Sequence, residues 1–319
     1  MSEDRTTDIP AQVRRRLSRM AQETGENLTF LLERFAGQRL LYRLSLSQHR
    51  NGFALKGAVL LAVWSPEPHR ATRDIDLLGW GENSAARLES VFREVCTLEI
   101  EDDGLRFDQD SIAVEEIREN QEYGGFRVKL RAYLDQAWAV VQIDVGFGDA
   151  ITPEAVEVEC PTMLDFPPAM LRAYPRETVV AEKMETMVRL GLINSRMKDF
   201  SDLHYLASEF EFDGRLLTRA IIATFSRRQT PLPQTIPVAL TEIFYGNTDT
   251  KRQWTAFLQT ARMSMGMSLE EVCKKISEFL MPILEAAVRG VEPSMLWHPD
   301  GRWNRQNLPT NDDSGDDSG

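Results

Sequence analysis

The sequence predicts an α/β fold in which a mixed-sheet core is preceded by helices and followed by a helical domain. Three patterns carry this expectation. Apolar residues recur at helical spacing through residues 9–46, alternate with polar ones through 126–134 and 139–147, and return to helical spacing after Glu177.

Taken in order, Val13, Leu17, Met20, Leu28, Leu31, Leu32, Phe35, Leu40, Leu41 and Leu44 fit two helices broken near Gly25, with Pro10 suited to the first helical turn. Residues 53–55 read as an apolar strand that hands over at Lys56-Gly57-Ala58 to an apolar helix at 59–64, and Asp74-Ile75-Asp76 as part of a short strand. A helix is expected at 87–95 behind the capping pair Asn83-Ser84, then strand, turn and strand through 100–114 around Asp102-Asp103-Gly104. The runs 126–134 and 139–147 form an antiparallel pair around a turn near Asp135. Residues 1–150 thus comprise the first helices and the sheet. Pro153, Pro161, Pro167, Pro168 and Pro175 then crowd the connection 151–175, too densely for a regular element. Residues 177–190 read as an amphipathic helix with Thr178 near its start and Gly191 just past its end, and further helices are expected at 199–210, 216–225, 254–260 and 269–288. Together they make a helical domain over 176–298. Trp297 and Trp303 are expected in loose chain, and 299–319 as a disordered acidic tail.

A chain of 319 residues with 42% hydrophobic content can bury a substantial core. No apolar run reaches the roughly eighteen residues of a membrane span, and the first residues are polar without an apolar signal region, so a cytoplasmic protein with no membrane partner is expected. Cys96, Cys160 and Cys273 are scattered without a Cys-x-x-Cys, which argues against a disulfide framework or a zinc site. A net charge of −12 argues against a general polyanion-coating protein. A nucleic-acid substrate would need a local basic surface, and Arg14-Arg15-Arg16 with Arg19, and Arg227-Arg228, are the visible candidates; each also reads as a solvated helix face. His49, His69, His204 and His298 have no Ser or Cys partner in a recognisable arrangement, so a nucleophilic hydrolase is disfavoured.

Asp74 and Asp76 lie two residues apart on the expected strand, so both carboxylates emerge from one face and could hold a hard divalent cation. With 49 acidic residues, roughly seven such spacings arise by chance, so context must support the pair. Gly57, where strand gives way to helix, lets backbone N–H groups approach a phosphate, and Lys56 stands beside it. Asp144 sits in the apolar run Val140-Val141-Gln142-Ile143-Asp144-Val145, costly unless a metal or a donor meets it. It reads either as a third metal carboxylate or as an acid facing water or pairing with Arg131; Asp149 is its rival beyond the strand end. Arg127, Lys129 and Arg131 share one face, lining the site or simply forming a solvent face. Lys183 lies mid-helix, functional or carried to the surface on its long stem, and Asp199 reads as a first-turn helix acid.

These motifs, Leu55-Lys56-Gly57-Ala58, Thr72-Arg73-Asp74-Ile75-Asp76-Leu77-Leu78, the run ending in Glu182-Lys183, and Arg196-Met197-Lys198-Asp199 with Asp202, resemble the AbiEii/AbiGii nucleotidyltransferase toxins of bacterial type IV toxin–antitoxin and abortive-infection systems. The resemblance covers residues 28–258 and departs where relatives often carry Gly-Ser or Gly-Gly-Thr and this chain has Gly57-Ala58, which removes a hydroxyl from the phosphate loop. It implies a polymerase-β-like nucleotidyltransferase core with the site in a cleft between halves. It further implies transfer of a nucleoside monophosphate from an NTP with Mg²⁺ or Mn²⁺, held by Asp74, Asp76 and Asp144. Lys56, Gly57, Ala58, Arg73, Lys183 and Lys198 would bind the nucleotide, and Lys183 and Asp202 would take part in catalysis. The implied acceptor is the tRNA 3′ end, and the implied partner a cognate antitoxin. A small-molecule acceptor, transfer to protein, phosphoryl transfer, and a non-enzymatic interaction module stay open.

Overall fold

The computed structural model describes residues 8–65, 72, 74–119, 123–261 and 266–305. The chain divides into two compact units, Met1–Val179 with Phe257–Met265, and Val180–Ala256 with Gly266–Gly319.

In the first unit, α1 (Ile9–Thr24) and α2 (Leu28–Leu46) are separated as expected. The Asp8 side chain accepts from the Ala11 N–H at the start of α1, and Gly25 at φ +69° ends it in the left-handed region that glycine enters without a Cβ clash. The remaining elements are β1 (Phe53–Lys56), α3 (Val59–Trp64), β2 (Ile75–Gly79), α4 (Ala85–Thr97), β3 (Leu105–Glu119), β4 (Tyr123–Leu134), β5 (Ala137–Phe147), β6 (Val156–Glu159) and β7 (Met170–Ala173). The seven strands form one mixed sheet in the order β3-β4-β5-β2-β1-β7-β6. Pairs β2–β5 and β1–β7 are parallel; the other pairs are antiparallel.

Alternation decides the faces. Leu130, Ala132, Leu134, Ala139, Val141, Ile143 and Val145 are buried, and α2 and α4 pack against β5 and β3. The opposite face of β5 carries Trp138, Val140, Gln142 and Asp144, none of them buried.

Two expectations are corrected in this unit. The strand-turn-strand placed around Asp102-Asp103-Gly104 is absent: a single strand, β3, begins at Leu105 and Asp103 is buried. Arg39 Nε donates to Asp103 Oδ2 at 2.8 Å, and Arg43 donates to both carboxylate oxygens at 2.7 and 3.0 Å. Burial alone would raise the Asp103 pKa; the Arg43 and Arg39 guanidiniums outweigh it and hold it below the usual carboxylate range. The acid therefore anchors α2 to the start of β3. The proline-rich connection also does not end the sheet. It contributes β6 and β7, which avoid the prolines, and the Tyr174 N–H donates to the Leu55 carbonyl at 3.0 Å beside β1.

In the second unit, α5 (Arg176–Leu190), whose first residues belong to the first unit, leads into α6 (Met197–Glu209), β8 (Phe212–Asp213), α7 (Gly214–Arg227), α8 (Glu242–Tyr245), α9 (Thr248–Thr260), α10 (Leu269–Arg289), β9 (Met295–His298) and β10 (Arg302–Arg305). α10 packs on α6 and α7, with Val272, Cys273, Ile276, Phe279, Leu280, Ile283 and Leu284 buried. A reciprocal Ser268–Glu271 capping box starts it and Gly290 at φ +68° ends it. Trp297 and Trp303 are not in loose chain. They stand opposite each other on β9 and β10 of a three-stranded sheet with β8. Trp297 is fully buried, lies 4.9 Å from the Phe279 ring and donates from Nε1 to the Ala207 carbonyl at 2.7 Å. The aromatic area buried there holds the segment in place. Of the expected acidic tail, residues 302–305 are strand, and Asp312, Asp313, Asp316 and Asp317 lie outside the described residues.

Candidate active site

In the first unit, a row of charged residues crosses four strands. Lys56 on β1 pairs in register with Asp76 on β2, Asp76 with Asp144 on β5, and Asp144 with Arg127 on β4. Residues paired across a sheet share a face, so the charges run positive, negative, negative, positive at one level. Asp74 immediately precedes β2 on the same side and is exposed. The acid in the apolar β5 run thus has its donor. Arg127 Nε and a terminal nitrogen reach the two Asp144 oxygens at 2.8 and 2.7 Å, and the hydrogen bond to Asp144 raises the Arg127 pKa, with Asp144 and Asp74 adding charge attraction. The sequence offers Arg131 as an ion-pair partner for Asp144, the alternative to a metal; the register selects Arg127, and Arg131 lies opposite Val140.

Gly57 is fixed by geometry. Its φ is +72°, and a Cβ there would lie 2.1 Å from Asp76 Oδ2, so only glycine lets the turn pass beside that carboxylate. Ala58 precedes α3 without a side-chain capping bond. Lys56 Nζ donates to Asp149 Oδ2 at 2.8 Å and lies 5.9 Å from the Tyr174 ring centre. Asp149, expected as the substitute third carboxylate, is therefore the counter-ion of Lys56 in this conformation. Arg73, an expected nucleotide-binding residue, lies outside the described residues. Among the described residues, no three His, Cys, Asp or Glu side chains converge as a metal-binding group. In this conformation Asp144 presents both its oxygens to Arg127.

The second unit carries a separate ion cluster. Lys183 Nζ on α5 donates to Asp199 Oδ1 at 2.7 Å and to Asp202 Oδ2 at 2.8 Å, both on α6. The lysine side chain is 12% exposed and the two carboxylates 1% and 0%. Arg196 Nε donates to the second Asp199 oxygen at 2.5 Å. Burial alone would lower the Lys183 pKa, but attraction to Asp199 and Asp202 outweighs it and raises it; Asp199 is held low by Lys183 and Arg196 against its own burial. Lys183 is thus neither carried to the surface nor buried without partners. Asp199 is its second partner, which the sequence reading assigned to the helix first turn. The i, i+3 spacing of Asp199 and Asp202, which puts both on one helix face, was the available signal. Lys198 stands exposed in the first turn of α6.

The model of the nucleotidyl transferase AbiEii toxins of type IV toxin–antitoxin systems matches residues 39–272. The chain belongs to the AbiEii toxin family. No curated protein matches it. Among solved structures, the AbiEii-family chain is similar to JHP933 from Helicobacter pylori, at 14% identity and a TM-score of 0.48, covering 83% of this chain and 95% of that one. It is also similar to MenT4, the nucleotidyltransferase toxin Rv2826c of Mycobacterium tuberculosis H37Rv, at 18% identity and a TM-score of 0.48, covering 88% and 99%. Membership of a toxin–antitoxin nucleotidyltransferase family implies an NTP substrate and an antitoxin partner. Among the described residues, no helix is long and apolar enough to cross a membrane.

Proposed function

We propose that this AbiEii-family toxin transfers a nucleoside monophosphate from an NTP to an RNA 3′ end, that of tRNA by the family resemblance, with release of pyrophosphate. The observation that carries the chemistry is the in-register Asp76–Asp144 pair beside the Gly57 turn. Two carboxylates directly opposed on neighbouring strands repel unless cations lie close. Lys56 and Arg127 flank them, and Asp74 adds a third negative charge at the strand start.

This donor set fits Mg²⁺ or Mn²⁺. It offers carboxylate oxygens only, beside a glycine backbone that leaves room for phosphate, and Mg²⁺ is usually held by one or two carboxylates plus substrate phosphates. Asp74 and Asp76 would hold the ion, joined by Asp144 once Arg127 turns to the incoming phosphates. When bound, the ion supplies charge neutralisation at the reacting phosphate. Lys56 and the Gly57 backbone would orient the triphosphate, and Arg127 would offset charge on it.

In the second unit, Lys183 is proposed to engage phosphate and Asp202 to position or deprotonate the acceptor hydroxyl. Both arrive already paired, so Lys183 would exchange one carboxylate for a phosphate oxygen. The test is incubation with each of the four labelled NTPs, Mg²⁺, and total cellular RNA or protein. Label on RNA supports the reading; label confined to protein or to small molecules overturns the acceptor, and no transfer of any label overturns the chemistry.

A further inference from the structure

The unburied face of β3, β4 and β5 continues past the Asp144–Arg127 row. On it Gln142 pairs in register with Lys129, Val140 with Arg131 and Trp138 with Tyr133, and Tyr133 in turn with Arg106 on β3. All lie on the side opposite the buried residues of β5, because their positions differ from Asp144 and Arg127 by even numbers. Trp138 is 56% exposed and Val140 39%. Trp138 and Val140 are grouped on one sheet face with Tyr133 and are not single scattered apolar residues.

The basic groups there are arranged around rings. The Arg106 guanidinium lies 4.5 Å from the Tyr133 ring centre and that of Arg131 5.8 Å from Trp138. Lys129 is paired with Glu115 at 3.1 Å, and Asp108 stands in register with Arg131, so the face is mixed in charge near β3 and cationic and aromatic toward Trp138. The chain as a whole carries −12, which makes a local grouping of arginines with exposed aromatics a selective feature.

We infer that this face, from Arg127 to Trp138, is a docking platform for the single-stranded 3′ end of the RNA acceptor, with bases stacked on Trp138 and Tyr133 and phosphates met by Arg131 and Arg106. The inference rests on the nucleotidyl-transfer reading, since the strand must end at the Asp76–Asp144 row. Asp144 lies six positions along β5 from Trp138, about 20 Å of extended strand. A tail of a few nucleotides spans that length, so the stacked bases lie upstream of the reacting terminus. Stacking suits a single strand, whose base faces are open, and tolerates any sequence because every base has a π-face.

The experiment uses the full chain and a short labelled single-stranded oligoribonucleotide of mixed sequence, with the same oligomer as a blunt duplex. Equilibrium binding of RNA and of NTP is measured separately for wild type, Trp138→Ala, Trp138→Phe and Arg131→Ala. The platform requires Trp138→Ala to weaken single-strand binding by roughly tenfold, and Trp138→Phe to keep most of it. Arg131→Ala should lower the slope of log affinity against log salt by about one, with NTP affinity unchanged for all three. If wild type labels RNA while the Trp138→Ala and Arg131→Ala variants bind it equally well, the platform is wrong and the transfer reading stands. Duplex binding as tight as single-strand binding overturns the stacking. Should wild type bind no RNA and label another acceptor, the RNA reading fails and the platform with it.

Discussion

Asp76 and Asp144 stand directly opposite each other on adjacent parallel strands, and the Arg127 guanidinium spans both oxygens of Asp144. Two acids placed so closely face a repulsion that Lys56 and Arg127 offset from the flanks. Removing one acid therefore lowers repulsion as well as function. Asp74→Ala and Asp76→Ala are expected to keep the folded state at unchanged or slightly higher stability and to lose more than about 100-fold in transfer rate. Thermal unfolding beside single-turnover transfer measures both; full transfer in both variants would remove the metal assignment.

Arg127 competes with a cation for Asp144. In Arg127→Gln both Asp144 oxygens are released beside Asp76, so Mg²⁺ affinity measured by calorimetry without nucleotide should rise while the transfer rate falls. Asp144→Asn should lower Mg²⁺-nucleotide affinity, because an amide replaces a charged oxygen with a neutral one. Unchanged binding in both variants would exclude Asp144 from the ion's surroundings.

Gly57→Ala tests the turn. A Cβ there meets Asp76 Oδ2 at 2.1 Å and must also adopt φ +72°. A cost of at least about 1–2 kcal/mol follows from the left-handed backbone alone. The displaced Asp76 carboxylate should reduce transfer beyond what that stability loss explains. Urea unfolding with activity measured well below the transition separates the two effects.

Lys183→Met removes a cation shared by two buried acids, of which Asp199 keeps Arg196. Removing one member of a buried ion cluster is expected to cost about 3–5 kcal/mol at neutral pH. The pH dependence has a defined sign. Asp199 is held below its usual pKa, so its contribution is present above about pH 4 and is lost as acid titrates it; Lys183 is held above its usual pKa, so its contribution is present below about pH 10.4 and is lost as base removes its proton. In the variant, stability should recover part of its loss as pH falls through the carboxylate range, whereas wild type loses stability there. Asp202→Asn should leave NTP affinity nearly intact and slow transfer by about 10²-fold or more if Asp202 is the general base.

Trp297→Ala tests the carboxy-terminal sheet. The indole is fully buried, packs on Phe279 and Trp303, and donates to Ala207. The expected loss is about 3–5 kcal/mol by denaturant unfolding. A loss near zero would mean that β9 and β10 add nothing to the second unit.

Helix and strand positions were legible in the sequence wherever a periodic apolar face was sustained: α1 and α2, β4 and β5, and α5, α6, α7, α9 and α10 follow spacing that one buried face imposes, whereas the four-residue α8 was not expected. So were the reactive residue types, because an acid pair near a glycine turn, an acid in an apolar strand and a lysine mid-helix each break the local pattern. What the sequence could not give was pairing. Asp103 looked like a turn acid because Arg39 and Arg43 lie 64 and 60 positions away. The prolines of 151–175 hid two strands that pair with each other, and the other partner of β7 is β1, more than a hundred residues back. Trp297 and Trp303 looked like tail residues until Phe279 gave them a surface. The same holds within the site. The sequence by itself marked Asp74, Asp76, Asp144 and Lys183 as candidates, since single-residue chemistry and local spacing are written along the chain. Only the tertiary structure decided that Arg127 rather than Arg131 meets Asp144, that Asp149 answers Lys56, and that Asp199 joins Asp202 on Lys183. Sheet register and helix packing set those distances, and both depend on contacts between residues far apart in sequence.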